Sequence, residues 1–209
     1  MGAITVREKR AGKARDGEPA WDIAHLFPAQ GQWDDWDYLA LETKRRIELT
    51  DGVIEVLPLP TESHQDIMVA FFDALRAFAR PRQLGKVSVS GIRIRLRKGT
   101  FREPDVAFMF AAHAKRRHNE YWEGADLVME VVSDDPKDRD RDLKRKRRDY
   151  ARARIPEYWI VDPKEATVTV LRLRGQKYIV HGKYRGGERA TSALLDGFAV
   201  EVDEVLSPS

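Results

Sequence analysis

Lys146 stands where an amphipathic helix calls for an apolar side chain. In Asp142-Leu143-Lys144-Arg145-Lys146-Arg147-Arg148-Asp149-Tyr150, positions three and four apart share a face, so Leu143, Lys146 and Tyr150 point the same way. Leu143 and Tyr150 suit a core, and Lys146 is therefore aimed at the interior or at a cleft. An ammonium so placed needs a partner. Two carboxylates are lodged upstream in strand-like apolar runs: Asp105 in Pro104-Asp105-Val106-Ala107-Phe108-Met109-Phe110, and Glu130 in Asp126-Leu127-Val128-Met129-Glu130-Val131-Val132. By the two-residue period Glu130 shares its strand face with Val128 and Val132. A lone ionised carboxylate between such neighbours is costly unless it is neutralised, paired or bound to a metal. Two acids and a lysine meeting at one spot would suit a divalent cation and phosphodiester hydrolysis. Taken singly each has a plainer role, Asp105 as a turn cap after Pro104 and Lys146 as the buried ion-pair partner of Glu130.

Composition narrows the field. The 209 residues are the size of one domain, with 42% hydrophobic and 34% charged residues. Residues 1–18 are polar and basic and are expected to form a disordered arm, leaving 19–209 as a single domain. No run approaches the ~20 apolar residues of a membrane span, and Met1 to Arg15 holds no signal-type apolar stretch. A cytoplasmic protein that does not enter a membrane is expected. Without cysteine, disulfide and thiolate chemistry are excluded. There is no phosphate-cradling glycine loop, no helix-turn-helix or zinc-finger spacing, and the histidines lack metal-ligand spacing. The net charge is only +3, yet residues 137–154 carry ten Lys or Arg against four Asp, a local surplus of +6. Such a stripe attracts a phosphate backbone, although a solvated helix laced with ion pairs has the same composition.

The elements that must position these residues are legible in outline. A short helix is expected over Trp33 to Glu42. Ile47-Glu48-Leu49-Thr50 and Val53-Ile54-Glu55-Val56 flank Asp51-Gly52, a hairpin signal that sets Glu48 opposite Glu55 and so requires water or a cation on that face. A helix follows from Ser63 to about Ala79. His64 precedes Met68 by four and stands beside the helix's apolar stripe, where it either looks into a cleft or caps the core edge. Strands are expected over Lys86 to Ser90, Ile92 to Arg97, Arg102 to Phe110 and Asp126 to Ser133, with Gly91 as a bulge in one bent strand. Arg93, Arg95 and Arg97 alternate with apolar residues and line up guanidinium groups on one face. After the basic helix, Glu157 to Asp162 is a strand whose spacing implies a parallel pair. Thr167 to Leu173 and Lys177 to Gly182 form a hairpin, and an edge lies near Phe198 to Val202. Trp33, Trp36 and Trp122 look exposed.

The order helix, three strands, helix, strand, with acids on the second and third strands, resembles the PD-(D/E)XK nucleases. The pieces Trp36-Asp37-Tyr38-Leu39, Ile47 to Gly52, Ser63-His64-Gln65, Pro104 to Phe108, Asp126 to Ser133 and Lys146 through Pro163 resemble, more closely, the bacterial Uma-type "putative restriction endonuclease" family over most of 33–205. The resemblance implies an α/β, restriction-endonuclease-like mixed sheet flanked by helices, an αβββαβ core with an N-terminal hairpin and a C-terminal β extension. It implies a metal-dependent endonuclease acting on DNA, with catalytic Glu48, Asp105, Glu130 and Lys146, and Mg2+ or Mn2+ held by Asp105, Glu130 and the Val131 carbonyl. Val132 stands where the superfamily places its lysine, and Lys146 supplies that ammonium from the helix. His64 is a possible cleft residue, while Arg93, Arg95, Lys144, Arg145 and Arg148 are candidate nucleic-acid contacts. A homodimer would bring two such sites to two strands. The alternative is an inactive nuclease-fold protein serving as a nucleic-acid-binding or self-associating module.

Overall fold

A computed structural model of the chain describes residues 27–43, 45–133, 135 and 139–207. The expected N-terminal arm, Asp134, residues 136–138 at the start of the basic stripe, and the side chain of Asp142 lie outside the described residues. Helix α1 (Asp35–Ala40) is closed at its start by a capping box between Asp34 and Asp37. The expected hairpin forms, β1 (Ile47–Thr50) against β2 (Val53–Val56), with Glu48 opposite Glu55. Helix α2 (Glu62–Ala79) follows, its Thr61 hydroxyl accepting the His64 amide.

The chain then passes back and forth between two sheets. Strand β3 (Gly85–Val89) belongs to a six-stranded sheet, whereas β4 (Arg93–Arg97) and β5 (Thr100–Arg102) join β1 and β2 in a five-stranded one. Strand β6 (Val106–Phe110) returns to the six-stranded sheet. Two expectations are corrected by this. Gly91, at φ +82°, marks a change of sheet rather than a bulge in one strand. The run Arg102 to Phe110 is two strands, because Pro104 has no amide to continue a ladder. The two corners are pinned together where the Ser90 amide donates to the Asp105 carbonyl at 2.8 Å, and Asp105 thereby sits at the seam between the sheets.

The remaining strands are β7 (Tyr121–Glu123), β8 (Leu127–Val131), β9 (Glu157–Asp162), the hairpin β10 (Thr167–Arg174) and β11 (Lys177–Tyr184), β12 (Arg189–Thr191) and β13 (Ala199–Glu201). The larger sheet runs β11-β10-β9-β8-β6-β3, and β8 pairs with β9 in parallel, as the spacing predicted. The connection between them is π-helical over Arg141–Lys146 and α-helical over Arg147–Arg152, the latter being α3, where a plain α-helix was expected. A last helix, α4 (Val202–Leu206), closes the described chain. The αβββαβ core is thus α2, β3, β6, β8, α3 and β9.

Strand alternation sorts β8 between two cores. Leu127, Met129 and Val131 pack with Ile67, Phe71 and Leu75 of α2, and Val128 and Val132 pack with Tyr150 and Ala151 of α3. Each fully buried side chain of this size contributes about 1.5–3 kcal/mol. Trp122 is another correction: only 2% exposed, it pairs with Ile94 in the parallel β4–β7 ladder and fills the second core. Trp36 is exposed, as expected. The outer edge of β2 is closed by a side chain, Gln30 accepting the Ile54 amide at 2.8 Å and donating to the Ile54 carbonyl at 3.1 Å. Among the described residues no helix is long and apolar enough to cross a membrane.

Candidate active site

The seam between the sheets is where charge is buried. Glu48, Arg102, Glu103, Asp105, Glu130 and Lys146 are each 4% exposed or less. Glu130 lies on the α3 side of β8, and Lys146, at the end of the π-helical turn, reaches it with Nζ 2.7 Å from Oε2. The other oxygen, Oε1, accepts the Tyr150 hydroxyl at 2.5 Å. Lys146 Nζ is also 3.8 Å from Glu48 Oε1, so one ammonium bridges acids from the two sheets. Glu48 is held further by the Glu103 amide, 3.2 Å from Oε1, and by the Arg102 guanidinium, 3.6 Å from Oε2. The like charges of Glu48 and Glu55 are separated by cations, since Glu55 pairs with Arg145 at 3.0 Å and Arg141 at 3.8 Å.

Asp105 is held by two hydrogen-bond donors and touched by a third group. Its Oδ2 accepts the Val131 amide at 2.9 Å, which ties it to the residue beside Glu130. Its Oδ1 lies 3.4 Å from Arg46 Nη2. His64 Nε2 lies 3.2 Å from Oδ2 but off the line of a proper hydrogen bond, and it counts among the buried polar atoms without one. Burial pushes the Asp105 carboxyl up, but the polar contact and charge of His64 and the charges of Arg46 and Lys146 outweigh it and hold it at about 2. Glu48 is likewise held below its ordinary value, burial being outweighed by Lys146, Arg102 and the Glu103 amide. Glu103 moves the other way, raised chiefly by burial despite Arg46 nearby. Burial and the charge of Glu130 push the Tyr150 hydroxyl well above its usual range, so it stays a donor.

These groups open on one cleft of about 280 Å3. Asp105, Glu130, Val131, Lys146 and His64 line it, together with Arg46, Arg141 and the Leu57 to Pro60 segment. Glu48 stands behind Lys146. The other candidates are elsewhere. Arg93 donates to the Leu39 carbonyl at 3.2 Å and lies over the Tyr38 ring, while Arg95 pairs with Asp35 at 2.6 Å. Both tie β4 to α1, and a phosphate would compete with those partners. Arg145 is engaged by Glu55. Lys144 and Arg148, 78% and 62% exposed, occupy the outer side of the helix whose inner side carries Lys146 and Tyr150.

Sequence reasoning passed over Arg46, Arg102 and Tyr150 as site residues. Arg46 shares a strand face with Glu48 by the two-residue period, a signal present but weak beside a run of cations. Tyr150 stands four residues after Lys146 and reads simply as core.

Among the described residues no three His, Asp or Glu side chains gather into a ready-made metal cluster. The donor chemistry nonetheless fits a hard divalent cation. Asp105 and Glu130 offer carboxylate oxygens to one cleft, and the buried Glu48 Oε2 accepts no hydrogen bond. Such an ion needs few protein ligands because it keeps water in most of its positions. Arg46 and Lys146 now hold positive charge against the same carboxylates.

Comparisons with known proteins agree with this architecture. A family model described as "Putative restriction endonuclease" matches residues 33–203. Among solved structures, a putative nuclease belonging to DUF820 from Anabaena variabilis ATCC 29413 is similar in fold, with a TM-score of 0.63 at 18% identity, covering 82% of this chain and 96% of that one. No curated protein matches.

Proposed function

The chain belongs to the Uma2 family, whose model spans residues 33–203, and from that membership and the buried charge cluster we propose that it is an endonuclease hydrolysing phosphodiester bonds of DNA with a divalent cation. The observation that carries the reading is the convergence of Asp105, Glu130 and Lys146 on one cleft wall, with Asp105 bonded to the Val131 amide and Lys146 to Glu130.

Asp105, Glu130 and the Val131 carbonyl would hold Mg2+ or Mn2+, with Glu48 acting directly or through water. When bound, the ion supplies Lewis acidity, easing loss of a proton from water and offsetting charge on the phosphate. Lys146, preorganised by Glu130 and Glu48, would orient the attacking water and stabilise the negative charge that grows on the phosphoryl oxygens. Arg46 and Arg141 on the cleft wall would bind a neighbouring phosphate. Cleavage would leave a 5' phosphate and a 3' hydroxyl, and a homodimer would present one site to each strand.

A second reading is a nuclease-fold protein that binds nucleic acid, or itself, without cutting. It draws on the fact that every oxygen of Asp105 and Glu130 already has a protein partner. A DNA cleavage assay with Mn2+, comparing the wild type with Asp105→Ala, Glu130→Ala and Lys146→Ala, separates the two. Scission by the wild type and its loss in all three variants supports the enzyme, whereas chelator-insensitive binding without scission supports the second reading.

A further inference from the structure

We propose that Tyr150 is a positioning residue of the site, holding Glu130 so that its second oxygen faces Lys146 and the cleft. The inference rests on the nuclease reading and adds a residue to it. Lys146 and Tyr150 are four apart on one helix and grip the two oxygens of one carboxylate, Lys146 at 2.7 Å on Oε2 and Tyr150 at 2.5 Å on Oε1. The change from π-helical to α-helical geometry falls between them, after Lys146, and sets both on the inner face. Short π-helical turns of this kind recur at functional sites.

The hydroxyl is itself held in place. Tyr150 is 0% exposed, and its ring stands edge-on to Tyr158 of β9 with centroids 5.1 Å apart. Tyr158 in turn lies against Tyr178 of β11 at 5.9 Å, and the Tyr178 hydroxyl donates to the Ile155 carbonyl at 2.7 Å. Three rings from α3, β9 and β11 thus fix one oxygen atom relative to β8. A glutamate has three rotatable bonds, and Lys146 cannot fix it, because an ammonium on a flexible stem follows the carboxylate instead of setting its plane. The tyrosine supplies the rigid donor. With it, Oε2 stays where Lys146 and an incoming cation meet it, and without it the carboxylate can turn.

A control lies outside the ladder. Tyr38→Phe removes an equally buried hydroxyl, one that donates to the Ile47 carbonyl at 2.7 Å and does not touch Glu130, so a purely structural role predicts the same outcome for Tyr38→Phe and Tyr150→Phe. The experiment measures, for wild type and both variants, melting temperature, Mn2+ affinity by electron paramagnetic resonance without substrate, and kcat and KM for DNA cleavage. For Tyr150→Phe the expected result is weaker Mn2+ binding and a kcat lower by about 10- to 100-fold, the usual cost of losing a partner that orients a ligand, with KM little changed. Tyr38→Phe should melt earlier yet bind Mn2+ and cleave like the wild type. If the wild type cuts and Tyr150→Phe matches it in kcat and Mn2+ affinity, or if both variants lose activity in proportion to stability, the positioning role is overturned while the nuclease reading stands. A wild type that neither binds Mn2+ nor cuts would overturn both.

Discussion

Asp105 and Val131 are joined side chain to backbone: the carboxylate at the start of β6 accepts the amide of the residue that follows Glu130 on β8, at 2.9 Å. The two acids of the site are therefore placed by one hydrogen bond between neighbouring strands, not by loops that could move apart. Asp105→Asn keeps an oxygen able to accept that amide while removing the charge. Cleavage should fall by more than the roughly 10- to 100-fold that follows loss of an outer partner, and the melting temperature should fall as well, because a carboxyl held at about 2 contributes stability in its charged form. Steady-state cleavage beside a thermal melt checks this, and a variant that cuts normally would remove Asp105 from the reaction.

Lys146→Met leaves the Glu130 carboxylate buried with its principal cation gone. Breaking a buried pair from one side costs about 3–5 kcal/mol, whereas replacing both partners with neutral groups is often close to neutral. Denaturant unfolding should show Lys146→Met strongly destabilised and Lys146→Met combined with Glu130→Gln substantially restored. Neither protein should cleave DNA. Recovered stability without recovered activity separates the structural contribution of the pair from its chemical one, and recovered activity in the double variant would contradict the proposed role of both residues.

Much of this arrangement was legible in the residues. The Asp51-Gly52 hairpin and the parallel β8–β9 pair stand where turn chemistry and spacing put them, and Lys146 is turned inward as its helical neighbours required. What local patterns could not carry was the change of sheet. The alternation in Ile92 to Arg97 and Arg102 to Phe110 is equally regular whether a strand stays in one sheet or leaves it, and only the pairing partners decide. The same limit hid Arg46, which reads as one more cation in Lys44-Arg45-Arg46 until its neighbours across the sheet are known to be Glu103 and Asp105. It also hid Trp122, which reads as exposed in a polar stretch and is buried by its pairing with Ile94. The row of arginines on β4 is regular in sequence, yet its charges are taken up by Asp35, Glu103 and Asp51 from other elements.

Stability should carry a pH signature from Asp162, at the end of β9. Both of its oxygens take the Arg139 guanidinium, at 3.0 and 2.7 Å, and it also accepts the Glu165 amide. Burial raises its carboxyl, but these partners outweigh it and hold the pKa below the ordinary aspartate value. A folded-state pKa below the unfolded one means stability that is present above the unfolded value and is lost as pH falls through the folded one. Asp162→Asn should therefore melt earlier than the wild type near neutral pH, having lost about 1.5–3 kcal/mol, the usual contribution of a hydrogen bond to a charged group. The gap should close as pH drops below the normal carboxylate range. A gap that is constant from neutral to acid would mean the ion pair contributes nothing that depends on charge.

Gln30 predicts how the protein behaves at its exposed edge. Strand β2 ends the five-stranded sheet, and Val53 and Val56 are exposed along it, which makes an open template for another strand. The Gln30 side chain occupies that template by pairing with both backbone groups of Ile54. Gln30→Ala loses exposed hydrogen bonds only, each contributing about 0.5–1.5 kcal/mol at most, so the melting temperature should move little. The freed amide and carbonyl should instead raise self-association, read as a concentration-dependent shift in mass by light scattering, with little change in cleavage per chain because Ile54 does not line the cleft. If the variant stays at the wild-type mass at high concentration, the apolar edge is protected by something other than this side chain.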